Sequence, residues 1–379
     1  MWSLQLNIGD QAYEIVRSFS GMGIHRTGTQ GDHNTSRWLG SELAVLGADV
    51  SFQTFPYYHF DAELSVQIAR ESLQADALYY SFTGQRNLRN PEFSVVDAHA
   101  DEAVISHAIC GMVATAKADG RDGLVLATRC PTGDLCAINR EHGMDLDFPV
   151  VLVAEDDLNA IQNIGAEIFF TGSVRKGVAK NVLARFPGPT GTRRVVVTTP
   201  VSGWFRCAGE RGCGLAVAIF LAKRLSKSFA VDLLLTSGHE LGSRGAYFLA
   251  ESYDTEPACV IHLGSCIANF DAKMTCICSA DSATVGRIAG ALKRLGIKPA
   301  IPSDHANAEN WVGESKCWAS KKWPMLSIAG LAPHFHACGD LPEAVTSPDL
   351  LATAIDVIGA AALALANHEK TKVSKEFLS

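Results

Sequence analysis

A chain of 379 residues with a formal net charge of -7 and no basic cluster gives no support to a nucleic-acid partner. Hydrophobic residues make up 47% and charged residues 19%, the balance of a globular protein, and the length predicts two domains or one large domain with an insert. Eleven cysteines without an export signal predict reduced thiols and a cytoplasmic location.

The N-terminal stretch MWSLQLNIGDQAYEIV has no basic segment leading into an apolar one, so it does not read as a signal peptide. Ala12, Ile15, Val16 and Phe19 recur at helical spacing. After the turn HRTGTQGDHN a second helix is predicted from Asn34 to Leu46, with Trp38, Leu39, Leu43 and Leu46 on one face and Gly47 ending it. His25, Arg26, Asp32 and His33 in that turn read first as isolated surface polar residues and second as groups facing a pocket. Residues 50 to 70 alternate as strands.

From about 75 to 175 the texture changes to short strand-like runs between polar turns, with a helix over Asp156 to Ile164 and a strand over Ala166 to Phe170. Cys130 and Cys136 in TRCPTGDLC invite a metal or disulfide reading, but their spacing fits neither common zinc pair and structural thiols are the favoured reading. The expected organisation is a first piece over 1–70, a β-rich insert over 71–180, and the main part over 181–379.

The pattern changes again at Asn181. Strands are predicted at Val182 to Phe186, Arg194 to Val197, Val231 to Leu235, Cys259 to Leu263, Met274 to Cys278 and Met325 to Ile328. Helices are predicted at Leu215 to Leu225, up to Tyr253, at Ser282 to Leu295, and from Ser347-Pro348 to about Ala366, with a polar tail from Asn367. The apolar run Val357 to Ala366 is too short to span a membrane. Strands alternating with helices predict an α/β fold with a mixed, largely parallel central sheet covered on both faces.

In such a sheet, ligands collect beyond the carboxyl ends of the strands. Four loops there carry Glu210, the pair His239 and Glu240, His262, and His334 with His336 and Asp340; Asp304 and His305 lie on a further loop. His239 and Glu240 in TSGHELGSRG are a base, metal ligands, or simply a turn cap and a carboxylate at a helix N-terminus. The motif is not HExxH, so any metal would be held by residues far apart in sequence.

These loops resemble those of the co-catalytic zinc aminopeptidases, a family that also includes glutamate carboxypeptidases, glutaminyl cyclases and the non-enzymatic ectodomain of the transferrin receptor. RTGTQG at Arg26 to Gly31 resembles the family's N-terminal turn. FPVVLVAEDD followed by NVLARFPG resembles the close of its protease-associated insert. The resemblance places metal ligands residue by residue. Pro200 and Ser202 stand where the family has histidine and aspartate, and Glu210 stands for the bridging aspartate. His239 and Glu240 stand for the general base and the next ligand. His262-Leu263-Gly264 lacks an expected aspartate, while His336 and Asp340 match the final ligand and its partner.

The resemblance thus implies one zinc per chain on Glu210, Glu240 and His336, with His239 as general base and an amide or short peptide as substrate. Two alternatives stand beside it. A non-catalytic homologue would act as a binding or scaffold protein, self-associating through the insert or sheet edge, with Glu210 paired to Arg206 or Arg211. A glutaminyl-cyclase-like acyl transfer would use the same single zinc, a cysteine-based one would use Cys207 with His239 as its base, and a rebuilt site would draw on His262, His305 or His334, with Asp304 and Asp340 as further candidates. Trp204, Phe205, Trp311, Trp318 and Trp323 either line a pocket for an apolar group or pack the loops.

Overall fold

The computed structural model describes residues 7–140 and 146–368; most of the polar tail predicted from Asn367 lies outside them. Helix α1 (Ile8–Ser20) is capped by the Asn7 side chain and buries Ala12, Ile15, Val16 and Phe19. Helix α2 (Gln30–Val45) starts four residues before the predicted Asn34, because the Thr29 hydroxyl caps it ahead of its apolar face. Strand β1 (Asp49–Ile68) is one continuous strand.

The chain then runs through β2 (Glu71–Ser72), β3 (Ala75–Ala77), β4 (Gly84–Leu88), β5 (Glu92–Asp97), α3 (Glu102–Ala118), β6 (Leu124–Arg129), β7 (Val150–Ala154) and α4 (Glu155–Ile164). Strands β3, β7, β6 and β5 form a separate four-stranded sheet in that order. Helix α3 is an element that periodicity did not reveal. Its buried stripe of Ile105, Ile109, Val113 and Ala116 is masked by apolar residues on its other faces, such as the exposed Val104.

Strand β8 (Glu167–Phe186) returns antiparallel along nearly the whole of β1, from Gln67 opposite Glu167 to Asp49 opposite Arg185. The predicted strands at 166–170 and 182–186 are its two ends. The ribbon of β1 and β8 therefore carries the chain out of the main sheet and back into it.

The rest of that sheet comes from β9 (Arg194–Pro200), β10 (Ala230–Thr236), β11 (Cys259–Leu263), β12 (Lys273–Ser279), β13 (Pro299–Ala300) and β14 (Met325–Leu331). The order is β13-β12-β14-β11-β9-β10-β8-β1-β2, with β4 also paired to β8. Strands β10, β9, β11 and β14 are mutually parallel, so their carboxyl ends open on one edge.

Helices α5 (Cys213–Leu225), α6 (Arg244–Ser252), α7 (Ser282–Leu292), α8 (Pro342–Val345) and α9 (Pro348–Ala366) complete the chain. One face of the sheet packs on α1, α5, α7 and α9 through Val195, Val197, Leu233, Ile261 and Ile328. The other face packs on α6 and the Trp311 and Trp318 segment through Val196, Leu234, Val260 and Met325. Helix α9 is, by length and composition, apolar enough to cross a membrane, contrary to the expectation from its apolar run. Here its apolar face, Leu351, Ile355, Ile358 and Leu365 among others, is core against α1, α5 and α7.

Candidate functional site

Beyond β9 the chain passes Ser202 and Trp204 and enters a single π-helical turn, Ala208–Gly212, that leads into α5. Asp340 holds this turn: its carboxylate accepts from the Gly209 N–H at 2.6 Å and the Glu210 N–H at 2.9 Å. Burial pushes the Asp340 carboxyl up to about 7 in spite of these two donors. Asp340 thus serves as the clamp of the Glu210 turn.

Glu210 and Arg211 are both about 1% exposed, and Arg211 Nη2 lies 2.8 Å from Glu210 Oε1. Burial opposes the ionisation of Glu210, but Arg211 and then His336 outweigh it and hold the carboxyl at about 2. Arg211 Nε donates to the Ser202 carbonyl at 2.9 Å. A buried guanidinium is therefore lodged between the Glu210 carboxylate and the Ser202 main chain. Neither oxygen of Glu210 and neither terminal nitrogen of Arg211 has a well-aligned hydrogen bond, so the pair is held by charge and distance.

His336 sits in the left-handed region at φ 62°, with Nε2 3.4 Å from Glu210 Oε1 and its ring stacked on Phe335. Burial lowers its pKa below the usual histidine value, against the pull of Glu210. Phe205, Cys207 and Ser243 also have positive φ. Strained non-glycine residues cluster at functional sites, where the surrounding structure over-determines them.

His239 and Glu240 lie in a short turn between Gly238 and Gly242, both left-handed, as a strand must reverse sharply there. Glu240 turns inward and accepts from the Thr27 N–H at 2.5 Å and the Ser202 hydroxyl at 2.9 Å. His239 is 18% exposed, and its Nδ1 lies 3.1 Å from Oε1 of the wholly buried Glu314. Glu314 is fixed in turn by the Thr236 hydroxyl. If His239 donates from Nδ1 to this carboxylate, its Nε2 is left as the basic nitrogen.

His262 is fully buried on β11; neither ring nitrogen has a well-aligned hydrogen-bond partner, and burial pulls its pKa down to about 4. Cys207 is buried, and burial with the Glu210 and Asp340 carboxylates pushes its thiol well above the ordinary range. That is the opposite of what an attacking sulfur requires. Asp304 and His305 are exposed, and their hydrogen bonds close the 304–311 loop on itself. His334 is half-buried and its carbonyl accepts from Ala337. Trp204 packs against Tyr79, with ring centroids 5.5 Å apart, while Trp318 and Trp323 pack on Tyr253.

The expected zinc does not fit these residues. Among the described residues no group of three or more histidines, cysteines or carboxylates is disposed to hold a metal ion. The physical reason is that the expected ligands are otherwise engaged. Glu210 faces Arg211, whose positive charge takes the role a cation would fill, and both oxygens of Glu240 are bound to Thr27 and Ser202. The ligand set expected from the sequence, Glu210, Glu240 and His336, is thereby corrected to a metal-free polar network.

Several members of that network are not legible in the sequence. Asp32 read first as surface and only second as facing a pocket, and Thr27 carried no signal, yet both are buried: Asp32 accepts from the Gly28 N–H and the Ser237 hydroxyl, and Thr27 Oγ1 accepts from the Gly238 N–H. His25 is buried too, bonded to the Phe19 carbonyl and the Thr35 hydroxyl. Glu314 has no neighbouring motif that could have marked it. Ser202 stands out in the sequence only as an absent aspartate. The pairing of Glu210 with Arg211 was legible, because the two are adjacent and of opposite sign.

No family model and no curated protein sequence matches this chain. Solved structures do. A zinc aminopeptidase from Bacillus subtilis superposes with TM-score 0.70 at 15% identity, covering 93% of this chain and 94% of its own. An aminopeptidase from Aneurinibacillus sp. strain AM-1 gives 0.61 at 16% identity over 93% and 92%. The glutaminyl cyclase of Porphyromonas gingivalis gives 0.51 at 12% identity over 93% and 96%. At these identities the likeness is one of fold: this chain has the α/β architecture of the zinc exopeptidases, a mixed central sheet with helices on both faces.

Proposed function

We propose that this chain is a non-catalytic peptidase homologue that binds a peptide or an amide-bearing small molecule without hydrolysing it. The observation that carries this reading is the buried Arg211 guanidinium against Glu210. Metal-assisted amide hydrolysis needs a cation that polarises the carbonyl and acidifies a bound water. A guanidinium supplies charge but has no open coordination position, and here its charge is spent on Glu210. Side chains that could meet such a ligand support the reading: the Arg26 guanidinium lies 5.0 Å from the centre of the Tyr79 ring, Tyr80 packs on Tyr79, and Arg26, Tyr80 and His239 are each partly exposed.

One contact favours a second reading. The His239 and Glu314 pair is the arrangement of an oriented general base, which would serve metal-free hydrolysis or acyl transfer. Incubating the protein with a panel of short peptides and N-acyl amides, with binding followed by calorimetry and products by mass spectrometry, separates the two. The binding reading predicts heat of binding that Arg26→Ala weakens, and no product. Product that persists in chelator and disappears in His239→Ala would establish the second reading. Product abolished by chelator would overturn both.

A further inference from the structure

Outside the strand-end site, the cysteines of TRCPTGDLC are placed for chemistry. We infer that Cys130 and Cys136 form an oxidisable pair, a modification site at which a peroxide converts Cys130 to a sulfenic acid that Cys136 then resolves as a disulfide. The segment leaves β6 at Arg129 and folds back at Gly133, where φ is 76° and the N–H donates to the Cys130 carbonyl at 3.1 Å. That turn sets the Cys130 sulfur beside the Thr132 hydroxyl, at 3.3 Å, and packs it against the cluster that holds Cys136. In its neutral form the thiol can donate to the Asp134 carbonyl at 3.3 Å.

The two sulfurs differ in ways that suit attack and resolution. Cys130 is partly exposed, whereas Cys136 is wholly buried with Ala98 and Ala337. The donors around Cys130, Cys136 first among them, draw its thiol well below the ordinary range, while the same contact and burial push Cys136 up. Seven other cysteines, such as Cys207, Cys213 and Cys259, are buried and raised. Reactivity follows thiolate character and access, and Cys130 combines both.

The chemistry balances with a peroxide as oxidant. The Cys130 thiolate attacks one peroxide oxygen, the O–O bond breaks, and the leaving hydroxide takes a proton as water. The Cys136 sulfur then attacks the sulfenic sulfur, the S–S bond forms, the S–O bond breaks, and the hydroxyl departs with the Cys136 proton as a second water. Two thiols are oxidised and one peroxide is reduced.

Oxidation would reach the strand-end site through the main chain. Cys136 bridges to Ala337, the Ala137 N–H donates to the His336 carbonyl at 2.9 Å, and the Cys338 N–H donates to the Leu135 carbonyl at 2.9 Å. The loop holding His336 is thus stitched to the loop holding the thiol pair.

The test is hydrogen peroxide treatment of the reduced full chain, quenching with an alkylating agent, and peptide mapping. The expected product lacks two hydrogens, carries a Cys130–Cys136 linkage that dithiothreitol reverses, and forms equally in Cys338→Ala. Cys136→Ser should instead accumulate a dimedone-reactive sulfenic acid at Cys130. Cys130 should also be alkylated faster than Cys110 in mildly acidic buffer. A parent protein in which both thiols stay alkylatable after treatment, or whose linkage joins other cysteines, would overturn the inference.

Discussion

At the scale of single residues, the site is built from charges that have no water to face. Glu210 and Arg211 compensate each other, and removing one partner of a buried pair leaves the other uncompensated. Arg211→Met should therefore cost about 3–5 kcal/mol in urea unfolding. The double variant Arg211→Met with Glu210→Gln should recover much of that loss, since no unpaired charge remains. His262 supplies a pH dependence whose sign follows from its burial. Its folded pKa, about 4, lies below the unfolded value of 6.5, so the neutral ring contributes stability that is present above pH 6.5. That stability is lost as pH falls through the window down to about 4, with an upper limit of about 3 kcal/mol. His262→Gln should lessen this fall when unfolding is compared at pH 7 and pH 4.5, leaving the share of His25, whose buried ring is likewise pulled down to about 4. An equally steep variant would show that another group titrates.

At the scale of elements, the sequence was most readable where periodicity and capping agree. The Ser347-Pro348 start of α9 and the β-branched run of β9 both lie where spacing placed them. Reading failed where one element changes environment along its length. Strand β8 is exposed in its middle and buried near both ends, so it read as two strands with a gap. Close approach between helices was also invisible. A methyl group on Gly9 would lie 2.3 Å from the Pro348 carbonyl oxygen, whereas one on Gly111 of α3 would meet nothing within 4 Å. Gly9→Ala should destabilise by about 1–3 kcal/mol through overpacking of α1 on α9. Gly111→Ala should be neutral or stabilise by up to about 1 kcal/mol, from helix propensity alone. Denaturant midpoints for the two variants would check this contrast.

At the scale of the whole molecule, strands β9, β10, β11 and β14 deliver their loops to one edge, and the N-terminal turn closes over it through Thr27 and Asp32. The architecture and the loops that build the site could be read from pattern and resemblance. What the ligand-like residues do there could not, because it depends on which way side chains from distant loops turn. Glu240 was expected on a metal and instead ties the N-terminal turn to Ser202; Glu314, wholly buried and without a motif, orients His239. A zinc-exopeptidase-like fold here encloses an internal ion pair, Glu210 with Arg211. That this pair leaves the site free of metal is tested most directly by measuring the metal content of protein purified without chelator, together with its melting temperature in added zinc and in chelator. The expected result is no stoichiometric metal and an unchanged melting temperature. About one zinc per chain, lost together with stability in chelator, would contradict it, since the binding of a metal to the native state alone must stabilise that state.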